Sequence, residues 1–194
     1  MENYTITLGI NSDLYEVSKI YEEASTYFED KENYPCWFKD IYPIKETAEK
    51  AINNKELYII KENGSIIGSV ILNHVQSVSY KNIDWKNNFT NNEILVIHTL
   101  CISPSVFGKG IATKLINFTE ELAKNKNCKA IRFDTHTNNS PAIKLYSKLG
   151  YELDRPINHL YLHNEQYINY ILPIVNSFVN ELKRDSTTRI AMAD

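Results

Sequence analysis

The sequence is poor in the residues on which specialised scaffolds depend. Its 194 residues include three cysteines, six glycines and six prolines. The cysteines Cys36, Cys101 and Cys128 are odd in number, widely spaced and without a CxxC pair, so they indicate neither a disulfide framework nor a zinc site. We therefore expect no bound metal and a reducing, cytoplasmic location.

Long apolar runs and an excess of positive charge are also missing. No uninterrupted apolar stretch approaches the roughly 20 residues of a membrane-spanning helix, and the N-terminus lacks the cationic start of a signal peptide. The formal net charge is −3 with both signs interspersed, so no basic face is available to a phosphate backbone. We expect a soluble, unprocessed protein with no nucleic-acid partner and no membrane partner.

Length and hydrophobic content together predict one compact domain. Of the 194 residues, 43 % are hydrophobic, which suffices for a core without metals or disulfides. We assign residues 1–172 to a single domain and residues 173–194 to a C-terminal extension, partly helical and then a polar, fraying tail. The extension could pack on its own domain or on a second copy, so a homodimer is one hypothesis.

Hydrophobic periodicity predicts an α/β fold of the α+β kind, with a mixed sheet flanked by helices. Asn63-Gly64 is a hairpin signal because both residues tolerate positive φ. An apolar strand, an amphipathic helix and a further strand then form a β-α-β crossover. The predicted strands lie near residues 4–8, 57–60, 66–75, 94–102, 130–135, 151–153 and 161–172, and predicted helices start near 14, 45 and 111 and precede Gly150.

A turn with two of the six glycines separates the strand at 94–102 from the helix that follows it. Gly108 and Gly110 lie two apart in this turn. Successive N–H groups at a helix N-terminus can point at one anion, and small residues allow a close approach, so a pyrophosphate is the natural ligand. The pattern lacks the third glycine of a dinucleotide fold and the Gly-Lys-Ser/Thr of a Walker motif. A plain helix-entry turn is the alternative.

Two motifs resemble those of the GCN5-related N-acetyltransferases, the GNAT family. The first is Leu100-Cys101-Ile102 followed by Ser105-Val106-Phe107-Gly108-Lys109-Gly110, similar to the family's Leu-x-Val strand and Arg/Gln-x-x-Gly-x-Gly/Ala turn. The second is Asn139-Ser140-Pro141-Ala142 with Tyr146 and Gly150-Tyr151, similar to the family's Asn-x-x-Ala-x-x-x-Tyr-x-x-x-Gly-Phe helix. Both occur in the order and spacing of the family.

The resemblance implies a GNAT-like acyl-CoA N-acyltransferase fold and acetyl-CoA as co-substrate. The sheet would splay at the strand of Leu100 and Ile102, whose main-chain groups would bind the pantetheine arm. Ser105 stands where the family has Arg or Gln, and Lys109 either compensates for the missing charge or is solvated. The residues expected to bind CoA are Leu100, Ile102, Phe107, Gly108, Lys109, Gly110, Ala112, Thr113 and Asn139.

Acetyl transfer to an amine needs a base for the amine proton, stabilisation of the oxyanion and an acid for the CoA thiolate. The second motif implies Tyr146 as the acid. His98 and Glu93 are the two candidate bases, and His98 is preferred because its pKa suits neutral pH and it shares side-chain parity with Leu100 and Ile102. The structural alternatives are a core tyrosine, a hydrogen-bonded histidine and a solvated glutamate.

Aromatic residues are candidates for the acceptor pocket. Trp37, Tyr42 and Trp85 could form a wall that attracts an amine by cation–π interaction, or could pack in the core. Cys101 lies within an apolar strand and is expected to be a buried hydrophobe, so transfer should be direct. The predicted function is acetylation of a primary amine of a small molecule. A protein or peptide acceptor and a non-catalytic CoA-binding sensor are the alternatives.

Overall fold

Seven strands and four α-helices are found in the part of the chain that the structure, a computed structural model, describes. This part comprises residues 4–77, 80–81, 85, 89–158 and 166–173. The elements, in chain order, are β1 (Tyr4–Leu8), α1 (Leu14–Glu29), α2 (Lys45–Asn53), β2 (Leu57–Glu62), β3 (Ser65–Asn73), β4 (Ile94–Ile102), α3 (Ile111–Asn125), β5 (Ala130–His136), α4 (Ser140–Lys148), β6 (Glu152–Asn158) and β7 (Gln166–Pro173).

The strands form one sheet in the order β1-β2-β3-β4-β5-β7-β6. The β4–β5 pair is parallel and the other five neighbouring pairs are antiparallel. The parallel pair is joined through α3, because parallel neighbours need a long crossover. The predicted mixed sheet with flanking helices is therefore confirmed.

Alternation of side chains along the strands divides the core between the two faces of the sheet. Ile60 of β2 packs in a cluster with Leu115 and Ile116 of α3, whereas its neighbour Ile59 packs with Val17 of α1 and residues of α2. Successive strand residues point to opposite faces, so a strand such as β2 serves both layers. Helices α3 and α4 thus cover one face, and α1 and α2 cover the other.

The sheet splays between β4 and β5. Parallel pairing covers only Ile94–Val96 against Ala130–Arg132, although β4 continues to Ile102 and β5 to His136. The β3–β4 register also shifts, so that two residues of β4, Thr99 and Leu100, lie opposite one residue of β3. Such a β-bulge bends its strand. The expected central splay is present, and the two strands diverge around a slot.

Several boundaries differ from the predictions. The strand predicted over 66–75 ends at Asn73, β6 continues to Asn158, and β7 covers 166–173 where 161–172 was expected. The predicted C-terminal extension lies outside the described residues after Pro173. No helix in the described part of the chain has the length and apolar character needed to cross a membrane.

Candidate active site

A cavity of about 570 Å³ opens where β4 and β5 diverge. Its walls come from the two strands, the glycine turn, α4, the C-terminal end of α1 and the loop of residues 34–42. Two distant motifs and the aromatic loop therefore meet at one place. Of the predicted site residues, those that line it are Trp37, Tyr42, His98, Leu100, Ile102, Phe107, Gly108, Ala112, Asn139 and Tyr146.

The glycine turn leads into the open N-terminus of α3. Gly108 and Gly110 have φ of 77° and 76°, the left-handed region that favours glycine, and no atom lies within 4 Å of a Cβ built on either. The first intrahelical bond runs from Lys114 N–H to the Gly110 carbonyl at 3.1 Å. The preceding N–H groups of α3 have no partner within the helix, as at any helix N-terminus. This open, donor-rich turn fits a pyrophosphate.

Three predicted CoA-binding residues lie in or directly after the glycine turn but do not line the cavity. Lys109 and Gly110 belong to the turn, and Thr113 lies in the first turn of α3. Ser105 bonds locally, since its hydroxyl oxygen lies 2.8 Å from that of Ser103. The amides of the turn are therefore the groups on which phosphate binding would depend.

The free edge of β4 supplies main-chain groups to the slot. Ser103 N–H donates to the Ile67 carbonyl of β3 at 2.9 Å, and Cys101 pairs with Ser69. Backbone groups of successive strand residues point to opposite sides, so those of Leu100 and Ile102 face β5. Since β5 has diverged there, these groups are available to a ligand in the slot.

Tyr146 is held against the core beside the slot. Its side chain is 6 % exposed, and its ring centroid lies 4.3 Å from that of Phe133 on β5. Asn139 caps α4 by accepting from Ala142 N–H at 3.3 Å, and its amide nitrogen donates to the Thr135 hydroxyl at 2.9 Å. Asn139 thus fixes the start of α4 to β5, and the helix places Tyr146 in the cavity wall.

His98 has a defined tautomer in its neutral form. Its Nε2 lies 3.0 Å from Asn73 Oδ1 and 3.2 Å from the Val75 carbonyl oxygen, both of which are acceptors. Val75 N–H donates to the same Asn73 oxygen at 2.9 Å, which confirms the amide orientation. Nε2 therefore carries the hydrogen, and Nδ1 is the nitrogen able to accept a proton. Burial lowers the pKa of His98, which favours the neutral form of the ring.

The parity argument for His98 is wrong. Leu95 and Ile97 pack in the same cluster as Leu100 and Ile102, which is the face of α3 and α4. The bulge adds one residue at Thr99, whose φ is 42°, and so shifts the alternation. His98 therefore points to the opposite face of the sheet, and it lines the cavity from there.

Glu93 lies away from the cavity, directly before β4. Its carboxylate accepts from the N–H and the hydroxyl of Thr90, both at 2.9 Å, and forms an ion pair with Lys129. The Lys129 bond and then the Thr90 bonds lower the pKa of Glu93 from 4.5 to about 2. Such a carboxylate is a poor proton acceptor at neutral pH.

The structure brings together two of the three predicted aromatic residues. The rings of Trp37 and Tyr42 are 6.4 Å apart, edge to face, in the cavity wall. The Tyr42 hydroxyl also bonds the Thr99 hydroxyl and so connects the aromatic loop to the bulge. Trp85 does not line the cavity, and instead it stacks on Arg132, with the guanidinium carbon 3.8 Å from the ring centroid.

Among the lining residues that sequence reasoning missed, Thr99 and Asp134 are polar and lie on the two diverging strands. Thr99 was not singled out because a bulge has no reliable sequence signal. Asp134 follows Phe133 on β5, and the polar residues Arg132 and Asp134 alternate with apolar ones there. This alternation was the available signal, since it marks one face of β5 as polar.

Comparisons with a family model, with curated proteins and with solved structures all find acetyltransferases. The sequence model of the Acetyltransferase (GNAT) family matches residues 14–151. An uncharacterised N-acetyltransferase of Methanocaldococcus jannaschii is 26 % identical over 157 residues, which are 78 % of this chain and 62 % of that protein. A streptothricin acetyltransferase of Escherichia coli is 39 % identical over 66 residues, 34 % of this chain and 38 % of that protein.

A third relative, N-alpha-acetyltransferase 30 of Schizosaccharomyces pombe, is 32 % identical over 76 residues, 39 % of this chain and 51 % of that protein. The chain thus spans less than two thirds of the length of each of these three curated relatives.

Solved structures share the fold. A proposed acetyltransferase from Staphylococcus aureus Mu50 has a TM-score of 0.65 at 28 % identity, covering 87 % of this chain and 98 % of its own. A GNAT-family acetyltransferase from Streptococcus agalactiae has a TM-score of 0.73 at 21 % identity, covering 88 % and 95 %. The proposed acetyltransferase yncA from Salmonella typhimurium, solved with its cofactor acetyl-CoA, has a TM-score of 0.65 at 15 % identity, covering 89 % and 95 %.

Proposed function

The chain belongs to the GNAT family of acetyltransferases, and from this premise we propose that it transfers the acetyl group of acetyl-CoA to a primary amine of a small molecule. One observation carries the proposal. A single cavity is lined by the free edge of β4, the glycine turn, Tyr146 and His98, which are the groups that amine acetylation requires.

Bound acetyl-CoA supplies the acetyl group as a thioester. The amides of Gly108 and of Gly110 to Thr113 would hold its phosphates at the N-terminus of α3, where the helix dipole favours negative charge, whereas the Lys109 N–H already donates to the Val106 carbonyl. Main-chain groups of Leu100 and Ile102 bind the pantetheine arm along the free edge of β4. An N–H of that edge stabilises the negative charge that develops on the carbonyl oxygen.

The proton transfers are assigned to two side chains. His98 accepts the proton of the attacking amine at Nδ1, directly or through a water molecule, and Tyr146 donates its phenolic proton to the departing sulfur. A C–N bond forms, a C–S bond breaks, and each side chain returns to its starting state by exchange with solvent. His98 is preferred to Glu93 because Glu93 lies outside the cavity in an ion pair.

Transfer is direct in this proposal. Cys101 is 1 % exposed, and burial raises the pKa of its thiol, so it is a poor nucleophile. It packs with Val17 and Tyr21 on the face of α1. No acyl-enzyme step is therefore assigned to it.

A small acceptor is favoured over a protein chain because the loop of residues 34–42 contributes seven of the cavity's lining residues, Tyr34, Pro35, Cys36, Trp37, Phe38, Ile41 and Tyr42. The rings of this loop suit a small amine. A protein N-terminus is the second acceptor class to be tested, because one relative is an N-alpha-acetyltransferase.

The proposal is tested by measuring thiol release from acetyl-CoA with a panel of small amines and N-terminal peptides, and acetyl-CoA binding by calorimetry in parallel. Acetylation of small amines with little peptide turnover is expected. Turnover of peptides alone would assign a protein acceptor, and binding without any turnover would indicate a sensor.

A further inference from the structure

The cavity contains one charged group that the proposed reaction does not use. Among the described residues that line it, Asp134 provides the sole carboxylate, and no lysine or arginine is among them. A cavity whose fixed charge is negative attracts cations and repels anions. The charge of Asp134 is therefore a candidate determinant of the acceptor.

The fold holds this carboxylate on the acceptor side of the slot. Phe133 packs in the core under α3 and α4, so its neighbour Asp134 points to the opposite face of β5, the face that His98 occupies on β4. The buried Tyr80 donates its hydroxyl to Asp134 Oδ1 at 3.0 Å. Tyr80 thus fixes the orientation of the carboxylate.

The Asp134 carboxylate is close enough to His98 and Tyr42 to shift the pKa of each. Burial lowers the pKa of His98, and the Asp134 carboxylate opposes that change. Burial raises the pKa of Tyr42, and the same carboxylate raises it further. Asp134 therefore faces the space between the proposed base and the aromatic loop, where the acceptor is expected to bind.

The reacting nitrogen is a poor partner for this carboxylate. An amine must be neutral to attack the thioester, and an ion pair with Asp134 would stabilise its protonated form in the ground state. A second ammonium group, which keeps its charge throughout the reaction, would retain the ion pair at every step. The neighbouring Trp37 and Tyr42 rings would attract the same cation.

We propose, resting on the N-acetyltransferase function above, that Asp134 binds a second ammonium group of the acceptor and so selects amines with two or more positive charges. Tyr80 is the positioning residue for Asp134. Polyamines and other compounds with two or more amino groups share this chemistry, and the experiment therefore uses simple compounds that vary the charge at one end.

Three compounds with four carbons and a primary amine on the first carbon differ at the fourth carbon. In 1,4-diaminobutane the fourth carbon carries an ammonium, in n-butylamine it is a methyl group and in 4-aminobutanoate it is the carboxylate carbon. The wild type should prefer the diamine to butylamine by about tenfold in kcat/KM, as expected for one charged hydrogen bond, and should react least with aminobutanoate.

Asp134→Asn keeps the shape and an acceptor for Tyr80 but removes the charge. The preference for the diamine should fall to about twofold or less, while acetyl-CoA affinity is unchanged. The ratio between compounds separates this effect from any change in His98, because a weaker base slows all three amines alike. Asp30→Asn, the same change at an exposed position at the end of α1, should keep the wild-type ratio.

Binding of the three compounds to the CoA-saturated protein, measured by calorimetry, separates this proposal from the proposed function. If no compound is acetylated but the binding order holds and is lost in Asp134→Asn, the proposed function fails and the assignment of Asp134 stands. Equal binding and turnover of diamine and butylamine by the wild type would overturn the assignment, as would a preference that survives Asp134→Asn.

If Asp134→Asn does not fold, Tyr80→Phe replaces it and should reduce the preference for the diamine in part. An unchanged preference in Tyr80→Phe would count against the assignment.

Discussion

The two halves of the cavity are built in different ways. The half proposed to bind acetyl-CoA, here called the donor half, comes from two short motifs with local backbone geometry and comprises Leu100, Ile102, the glycine turn, Asn139 and Tyr146. The half proposed to bind the amine, here called the acceptor half, comes from one loop and two strands that are distant in sequence and comprises Trp37, Tyr42, His98 and Asp134.

This difference has a functional consequence. The donor half relies on main-chain groups and helix ends, which many sequences can provide, so one CoA-binding frame can serve many enzymes. The acceptor half relies on individual side chains and their charges. We therefore expect changes in the donor half to affect all acceptors alike, and changes in the acceptor half to affect some acceptors more than others.

The largest effect is expected for Tyr146→Phe in the donor half. Loss of the acid should lower kcat by about 10²–10⁴-fold for every acceptor and leave acetyl-CoA affinity nearly unchanged, since the ring still fills its place against Phe133. Steady-state kinetics with calorimetry would measure both. The matched control is Tyr151→Phe, which removes a hydroxyl from a buried ring of the same cluster that does not line the cavity. Full activity of the Tyr146→Phe variant would exclude Tyr146 as the general acid.

Gly108→Glu should abolish most donor binding. A carboxylate in the turn would repel the phosphates, and the left-handed φ would strain a side chain, so the Kd of acetyl-CoA should rise by about 100-fold or more. Gly64→Glu is the control, because Gly64 has a φ of 87°, equally open surroundings and a place in the distant β2–β3 hairpin. Unchanged binding in Gly108→Glu would contradict the assignment of the turn.

His98→Gln tests the half of the cavity in which the base lies. At pH 7, kcat should fall by about 10–100-fold. Burial lowers the pKa of His98, so the wild-type kcat should fall with acid only below pH 6.5, where the ring becomes protonated. This acid limb should be absent from the pH profile of the variant. A limb that persists would mean that another group is the base.

The smallest effect on catalysis is expected for Glu93→Gln. Because Glu93 is ion-paired outside the cavity, kcat should not change, whereas the melting temperature should fall at neutral pH. The pKa of Glu93 is lowered in the fold, so its stabilising effect is present above about pH 4.5 and is lost as pH falls towards 2. The melting temperatures of variant and wild type should therefore converge in acid. A large loss of kcat would restore Glu93 as a candidate base.

Much of the fold and most of the donor half could be predicted from the sequence. The hairpin at Asn63-Gly64 and the crossover through α3 follow from turn chemistry and periodicity, and the splay at β4 follows from the family resemblance. In contrast, the direction of His98 was predicted wrongly. A bulge depends on how β4 pairs with β3, and one inserted residue reverses every later side chain.

The sequence by itself determined the local features of the donor half, because left-handed glycines, a helix N-terminus and an Asn cap are short-range features that contiguous residues specify. The sequence named Trp37, Tyr42 and His98 as candidates, but only the tertiary structure decided which residues meet in the acceptor half. It brought the aromatic loop, the base and Asp134 to one slot, and it placed Trp85 on Arg132 and Glu93 on Lys129 instead. The physical reason is that these contacts join segments whose proximity depends on the pairing and divergence of whole strands, which no local pattern records.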